Sequence, residues 1–267
     1  MASPLAGPGV FWISSNTSDT AVFSYDDLVR WYEEVHIPDM MHADTEQPLP
    51  VARRYEALSS TEKPFLVVYK MPDLAFVASD AFRKIPLHHE TLPGCGPIAQ
   101  YAHFRGRFAR FERAWESPGR EGKEGREGTL LISEVTAGDS AADGHAPPVS
   151  FYKDVQRLPG WLRSSQYTIV MENDIGGDTP PPRSEPPTAG APPPAHTPRR
   201  LSLHEFEGTQ TVGDLAEDHV GSQSTTAWSS TGAETAERSV VEVLAFRLVR
   251  TYGDQALAFA ERDVGRQ

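Results

Sequence analysis

The stretch Trp31-Tyr32-Glu33-Glu34-Val35-His36-Ile37-Pro38-Asp39 holds the residue types in this sequence best suited to chemistry. An imidazole changes charge near neutral pH. A histidine held beside apolar rings, with a carboxylate in reach, can therefore serve as general acid or base. His36 lies one helical turn after Tyr32, and Glu33 and Asp39 are the nearby carboxylates that could orient its ring. The plain alternative is a part-exposed histidine that decorates a helix end.

Extended segments can add to this group. Arg54, Tyr55 and Tyr69 lie in strand-like stretches. Around residue 103, period-2 geometry puts Tyr101, His103 and Arg105 on one face and Ala102 and Phe104 on the other. A Tyr/His/Arg face suits a pocket for a phenolate or carboxylate. It equally suits an exposed sheet face or a buried hydrogen-bonded network. The expected catalytic set is His36, Asp39, Tyr55 and His103. Trp12, Trp31, Tyr32, Arg54, Tyr69, Tyr101 and Arg105 are expected to hold substrate.

Other candidates carry less. His88-His89-Glu90 invites a metal, but adjacent histidines on an extended segment point apart and no third ligand stands near, so no metal is expected. Cys95, within Pro-Gly-Cys-Gly-Pro, lacks a basic partner and reads as a turn cysteine. His145, His196 and His204 fall in or near loops, and His219 on a solvated helix face; none is assigned a role. No glycine-rich phosphate-binding pattern occurs, so no nucleotide cofactor is expected, nor any other.

The elements that must position His36 follow from pattern. Ser24-Tyr25-Asp26-Asp27 opens a helix with a capping box, and Leu28, Trp31, Tyr32 and Val35 form its apolar stripe. The spacing predicts a helix over 25–40, closed by Pro38, with residue 37 pushed toward extended geometry. Strands are expected at 10–14, 51–58, 64–71 and 100–111, and a helix at 73–85, ended by Pro86. This order is βαββαβ, a ferredoxin-like unit.

A charged glycine-rich linker follows at 117–127, and the order restarts. Gly128 to Ser133 echoes Gly9 to Ser14. Residues 150–158 read as a shortened helix, with strands at 165–172, 200–206 and 240–252 and a helix at 212–220. Phe246-Arg247 stands where Phe104-Arg105 stood. The Pro/Ala/Thr-rich tract 179–198 is expected to be a disordered insertion. The expected fold is α+β: two tandem ferredoxin-like repeats, 9–116 and 128–260, packed sheet to sheet within one chain. Two independent domains are the alternative.

Composition bounds the partners. The 267 residues carry a net charge of −12, which argues against nucleic acid and against an anionic membrane surface. One cysteine permits no internal disulfide. No apolar run is long enough to span a bilayer, and no basic-then-apolar leader opens the chain. The expectation is a soluble cytoplasmic protein, a monomer or weak homodimer.

The first repeat resembles the dimeric α+β barrel superfamily, in particular EthD-like and antibiotic-biosynthesis-monooxygenase-like proteins in their tandem-repeat fungal form. The resemblance rests on Gly9 to Ser14, Trp31-Tyr32-x-x-x-His36-Ile37-Pro38-Asp39, Arg54-Tyr55, Tyr69-x-Met71-Pro72-Asp73 and Phe104-Arg105, about residues 9–115. Such proteins include cofactor-free decarboxylases, polyketide cyclases, quinol-type oxygenases and haem enzymes, so the resemblance implies fold more than reaction. The second repeat departs from the pattern. Gln156-Arg157-Leu158-Pro159-Gly160-Trp161 stands where a second histidine motif belongs, which implies one active pocket, in the first half. The implied function is cofactor-independent decarboxylation, cyclisation or dehydration of an apolar polyketide- or terpenoid-like molecule. The alternatives are a binding protein without turnover, a cofactor-free oxygenase and a haem protein.

Overall fold

A computed structural model describes residues 5–118, 127–136, 155–176, 199–208 and 240–254. Within them, strands β1 (Gly9–Thr17), β2 (Val51–Ala57), β3 (Phe65–Met71), β4 (Ala102–Glu116), β5 (Glu127–Thr136), β6 (Trp161–Ile175), β7 (Arg199–Glu207) and β8 (Val240–Gly253) form one closed barrel. The order around it is β1-β3-β2-β8-β5-β7-β6-β4, and every neighbouring pair is antiparallel. Read by halves, the first four strands lie in the order 4-1-3-2, and the last four repeat that order. The seams are β2–β8 and β4–β6. No helix among the described residues is long and apolar enough to cross a membrane, which says nothing of crossing with strands.

Strand alternation sorts the side chains. Val10, Trp12, Tyr55 and Val68 face the barrel interior with Leu130, Ile132, Tyr167 and Phe246. Phe11, Ile13, Ala52, Val67, Tyr69, Phe104 and Phe108 face outward, under the first helix. The interior also buries charge. Arg53 (1% exposed) and Arg163 (0%) both donate to Glu205, and Arg107 donates to Glu134 at 2.6 Å. Charges taken out of water persist only when paired in this way.

The first helix departs from expectation at its end. It opens as read: Ser24 accepts from the Asp27 amide while the Asp27 carboxylate accepts from the Ser24 amide. Phe23 and Leu28, both buried, flank the cap as a hydrophobic staple. After α1 (Tyr25–Trp31), however, the chain makes a π-helical turn (Tyr32–His36) and continues as α2 (Ile37–His42). Ile37 is helical, not extended, and its amide bonds to the Tyr32 carbonyl five residues back. Pro38 then sits in the first turn of α2, where its missing N–H is tolerated. The proline is absorbed by widening one turn.

The helix expected over 73–85 is broken as well. A 3₁₀ turn (Leu74–Ala78) and a short α3 (Asp80–Arg83) meet at Ser79, which is extended and caps the Phe82 amide. Strand β4 runs five residues beyond the expected Phe111, because its polar side chains find partners on β6: Glu112 accepts from Thr168 and Arg113 donates to Gln166.

The echo between halves is off by one face. Trp12 points inward, whereas its counterpart Leu131 points outward; Phe104 is outward and Phe246 inward. A one-residue offset reverses every side chain of a strand, so the short sequence echo does not superpose equivalent positions. The segments 119–126, 177–198 and 209–239, and with them most of the expected linker, the Pro-rich tract and the helix at 212–220, lie outside the described residues. Of the expected helix at 150–158, residues 155–158 are described: Val155 and Gln156 are helical, and the chain leaves the helix at Arg157 and Leu158.

Candidate active site

The π turn sets the site. It rotates Tyr32, Val35 and His36 inward together, and all three are buried between the helix and the outer face of the first four strands. The His36 ring stacks on Trp31, centroids 4.5 Å apart and planes 12° from parallel. Tyr32 meets it edge-on at 6.0 Å, and Phe104 packs against both Trp31 and Tyr32. The Tyr32 hydroxyl donates to Ser15 Oγ at 3.0 Å.

His36 Nδ1 is buried with no hydrogen-bond partner. Desolvation pushes the imidazole down to about pKa 4, so the ring is neutral at pH 7. Neither nearby carboxylate orients it. Glu33 is held by Arg54 at 2.8 Å and Arg250 at 2.6 Å. Asp39 lies half-buried on α2 with no bond to the ring. In the tautomer protonated at Nε2, this free, buried nitrogen is an acceptor able to take a proton.

Of the other expected residues, Tyr69 shares this layer; its ring stacks on Phe11 at 6.0 Å, and its hydroxyl is buried and unpartnered. Arg54 is on the same side, but its guanidinium is committed to Glu33 and Glu56. Tyr101 precedes β4 in a turn instead of sharing a strand face with His103. Its hydroxyl donates to the Pro93 carbonyl at 2.5 Å and its ring packs on Phe23, 5.8 Å away. Trp12 and Tyr55 are on the opposite side of the sheet, inside the barrel, with Arg107 4.8 Å over the Trp12 ring. His103 and Arg105 lie on that opposite side of β4, and Arg105 pairs with Asp174 at 3.1 Å. The structure thus gathers His36, Trp31, Tyr32 and Tyr69, and separates them from Trp12, Tyr55, His103 and Arg105. A half-open depression of about 130 Å³ lies beyond Phe23 and Tyr101, lined also by Ser18, Asp19, Val22 and Gln100.

No protein-family model matches the chain, and no curated protein matches it. Among solved structures, an anthrone oxidase-like protein is similar at a TM-score of 0.50 and 12% identity, over 97% of this chain and 99% of that one. The likeness is one of fold. A candidate monooxygenase from Fusobacterium nucleatum is similar at 0.41 and 10% identity, over 94% and 97% of the two chains. A ferredoxin-fold protein from Listeria monocytogenes, related to antibiotic biosynthesis monooxygenases, is similar at 0.32 and 8%, over 91% and 96%. Among the described residues, no group of three or more His, Cys, Asp or Glu is placed to hold a metal ion.

Two residues escaped the sequence reading. His204 lies on β7, within the strand expected at 200–206, and is fully buried between Ser133 Oγ (3.1 Å from Nε2) and Ser164 Oγ (2.7 Å from Nδ1). The Leu201/Leu203/Glu205 alternation was the signal that placed it on the outward face. Tyr252, on β8, packs against the same apolar layer as Tyr69.

Burial pushes His204 down further than His36, to about pKa 3. In both, the unfolded chain takes up a proton that the folded chain refuses. Stability is therefore unaffected above about pH 6.5 and is lost as pH falls toward 4, by up to about 1.4 kcal/mol per pH unit for each ring. Urea unfolding at pH 7.0 and 5.5 is expected to show this loss, and His36→Phe should remove its share. Equal stability at the two pH values would contradict the buried, neutral state of both rings.

Proposed function

We propose that this protein is a cofactor-independent small-molecule enzyme in which neutral His36 accepts a proton from an apolar, ring-bearing substrate. The unpartnered, ring-stacked Nδ1 carries this reading. Trp31, Tyr32 and Phe104 provide the apolar surface, and the Tyr69 hydroxyl is available to steady the developing oxyanion. Asp39 is left to support the helix. The residues inside the barrel have no part in the step.

Proton removal can lead to cyclisation, dehydration, decarboxylation or reaction with dioxygen. The likeness to an anthrone oxidase-like protein favours the last. An activated CH₂ deprotonated at His36 would react with O₂ to give a ketone and water, CH₂ + O₂ → C=O + H₂O. The repeated 4-1-3-2 strand order supports two tandem ferredoxin-like units, about 9–116 and 128–260, closing as an intramolecular version of a dimeric barrel. Such a protein would act as a monomer in the cytoplasm, on a product of polyketide-like metabolism.

With anthrone as probe in air-saturated buffer, the purified protein is expected to consume one O₂ per ketone formed. Conversion of anthrone without oxygen uptake would replace oxygenation by a lyase or cyclase reaction. No conversion above the buffer rate would overturn the assignment of this substrate class.

A further inference from the structure

The position of Tyr252 carries the reading of this site further, resting on His36 for its location. Strands β3, β2 and β8 are neighbours, and Ala52 pairs with Tyr69 on one side and Tyr252 on the other. The three residues form one row on one face, with a methyl group between two phenols. At about 4.8 Å per strand the two tyrosine backbones stand roughly 10 Å apart. Both hydroxyls are buried. Tyr69 has no partner, and the Tyr252 hydroxyl lies beside the Arg54 and Arg250 guanidinium groups without a hydrogen bond of ordinary geometry to either.

Buried hydroxyls are normally paired, so two unpartnered hydroxyls in one row are groups able to hold the oxygen of a ligand. The charge around them is three guanidinium groups against two carboxylates, and the surplus lies on the two arginines that are more than half exposed to water. Arg54, 4% exposed, is balanced by Glu33 and Glu56, and the exposed Arg250 and Arg247 bind the same two carboxylates. The His36 ring is uncharged at neutral pH. A carboxylate entering this layer would lose its water and meet no unpaired cation among the described residues, whereas a phenol or ketone loses little.

We infer that the site takes an uncharged aromatic ligand bearing a hydroxyl or carbonyl, that Tyr69 and Tyr252 hold its oxygen, and that the second half of the chain supplies Tyr252. The site of the first half is then complete only in the closed barrel, because β8 carries one of its two donors.

Equilibrium dialysis of the full chain at pH 7 against 1-naphthol and 1-naphthoate tests this without any turnover. Naphthol is expected to bind at least tenfold more tightly. Tyr252→Phe and Tyr69→Phe, which remove only a hydroxyl, should each weaken naphthol about fivefold, the ratio expected for one hydrogen bond. Thermal unfolding of each variant checks that the fold is kept. Equal or tighter binding of naphthoate, binding of neither probe, or unchanged affinity in Tyr252→Phe would overturn the inference. Naphthol binding that depends on Tyr252, in a protein that turns over nothing, would instead sink the proposed reaction and leave this inference standing.

Discussion

His36→Phe is expected to reduce turnover by about 10²- to 10⁴-fold, the usual worth of a positioned general base. The same variant should be at least as stable as the parent protein. Phenylalanine keeps the ring that stacks on Trp31 at 4.5 Å but removes Nδ1, a buried polar atom with no partner. An unsatisfied buried polar atom costs about 1–3 kcal/mol, so replacing it by carbon should recover part of that. The pairing of lost activity with retained or raised stability is what a catalytic role predicts. A structural role predicts the reverse. Activity within twofold of the parent, measured on a turned-over substrate, would remove His36 from the mechanism.

The second large effect concerns the barrel interior. Glu205 accepts from Arg53 at 2.7 Å and from Arg163 at 2.6 Å, with both guanidinium groups almost wholly out of water. These contacts tie β2, β7 and β6 together, and Arg53 and Glu205 stand 152 residues apart in sequence. Glu205→Ala should destabilise the fold by about 3–5 kcal/mol, because it leaves two buried cations facing each other. Against a typical total of 5–15 kcal/mol, that approaches unfolding. Replacing the trio together, Arg53→Met, Glu205→Leu and Arg163→Met, should recover most of the loss, since an apolar trio carries no desolvation penalty. Urea unfolding at pH 7 measures both. A loss below about 1 kcal/mol for Glu205→Ala would mean that the remaining carboxylates near these arginines, Glu127 and Glu116, suffice.

Much of this architecture was legible in the chain. The capping box, the apolar stripe of the first helix and the first three strands stand within a few residues of their expected positions, because each depends on local spacing. Pro38 misled for a physical reason. A proline stops an ordinary helical ladder, but one turn with i→i+5 bonding lets the helix pass it, and no local signal marks where that happens. Face assignment failed at Tyr101, and the side of the sheet that Trp12 takes was not legible. Period-2 reasoning needs the strand's first residue, and Tyr101 lies one position outside β4. Trp12 belongs to a strand buried on both faces, where apolar character no longer says which side is which. His204 falls within the strand expected at 200–206, but the serines that bracket its ring come from neighbouring strands, which local pattern does not show. Long-range pairs such as Arg53–Glu205 left no trace in local pattern at all.

The closed ring of strands bears on how this protein behaves when concentrated. An open sheet ends in a row of free amide and carbonyl groups that can recruit another chain. Here every described strand is flanked on both sides, so that template for fibril-like stacking is absent among them. Resistance to that kind of stacking then rests on keeping the two seams zipped.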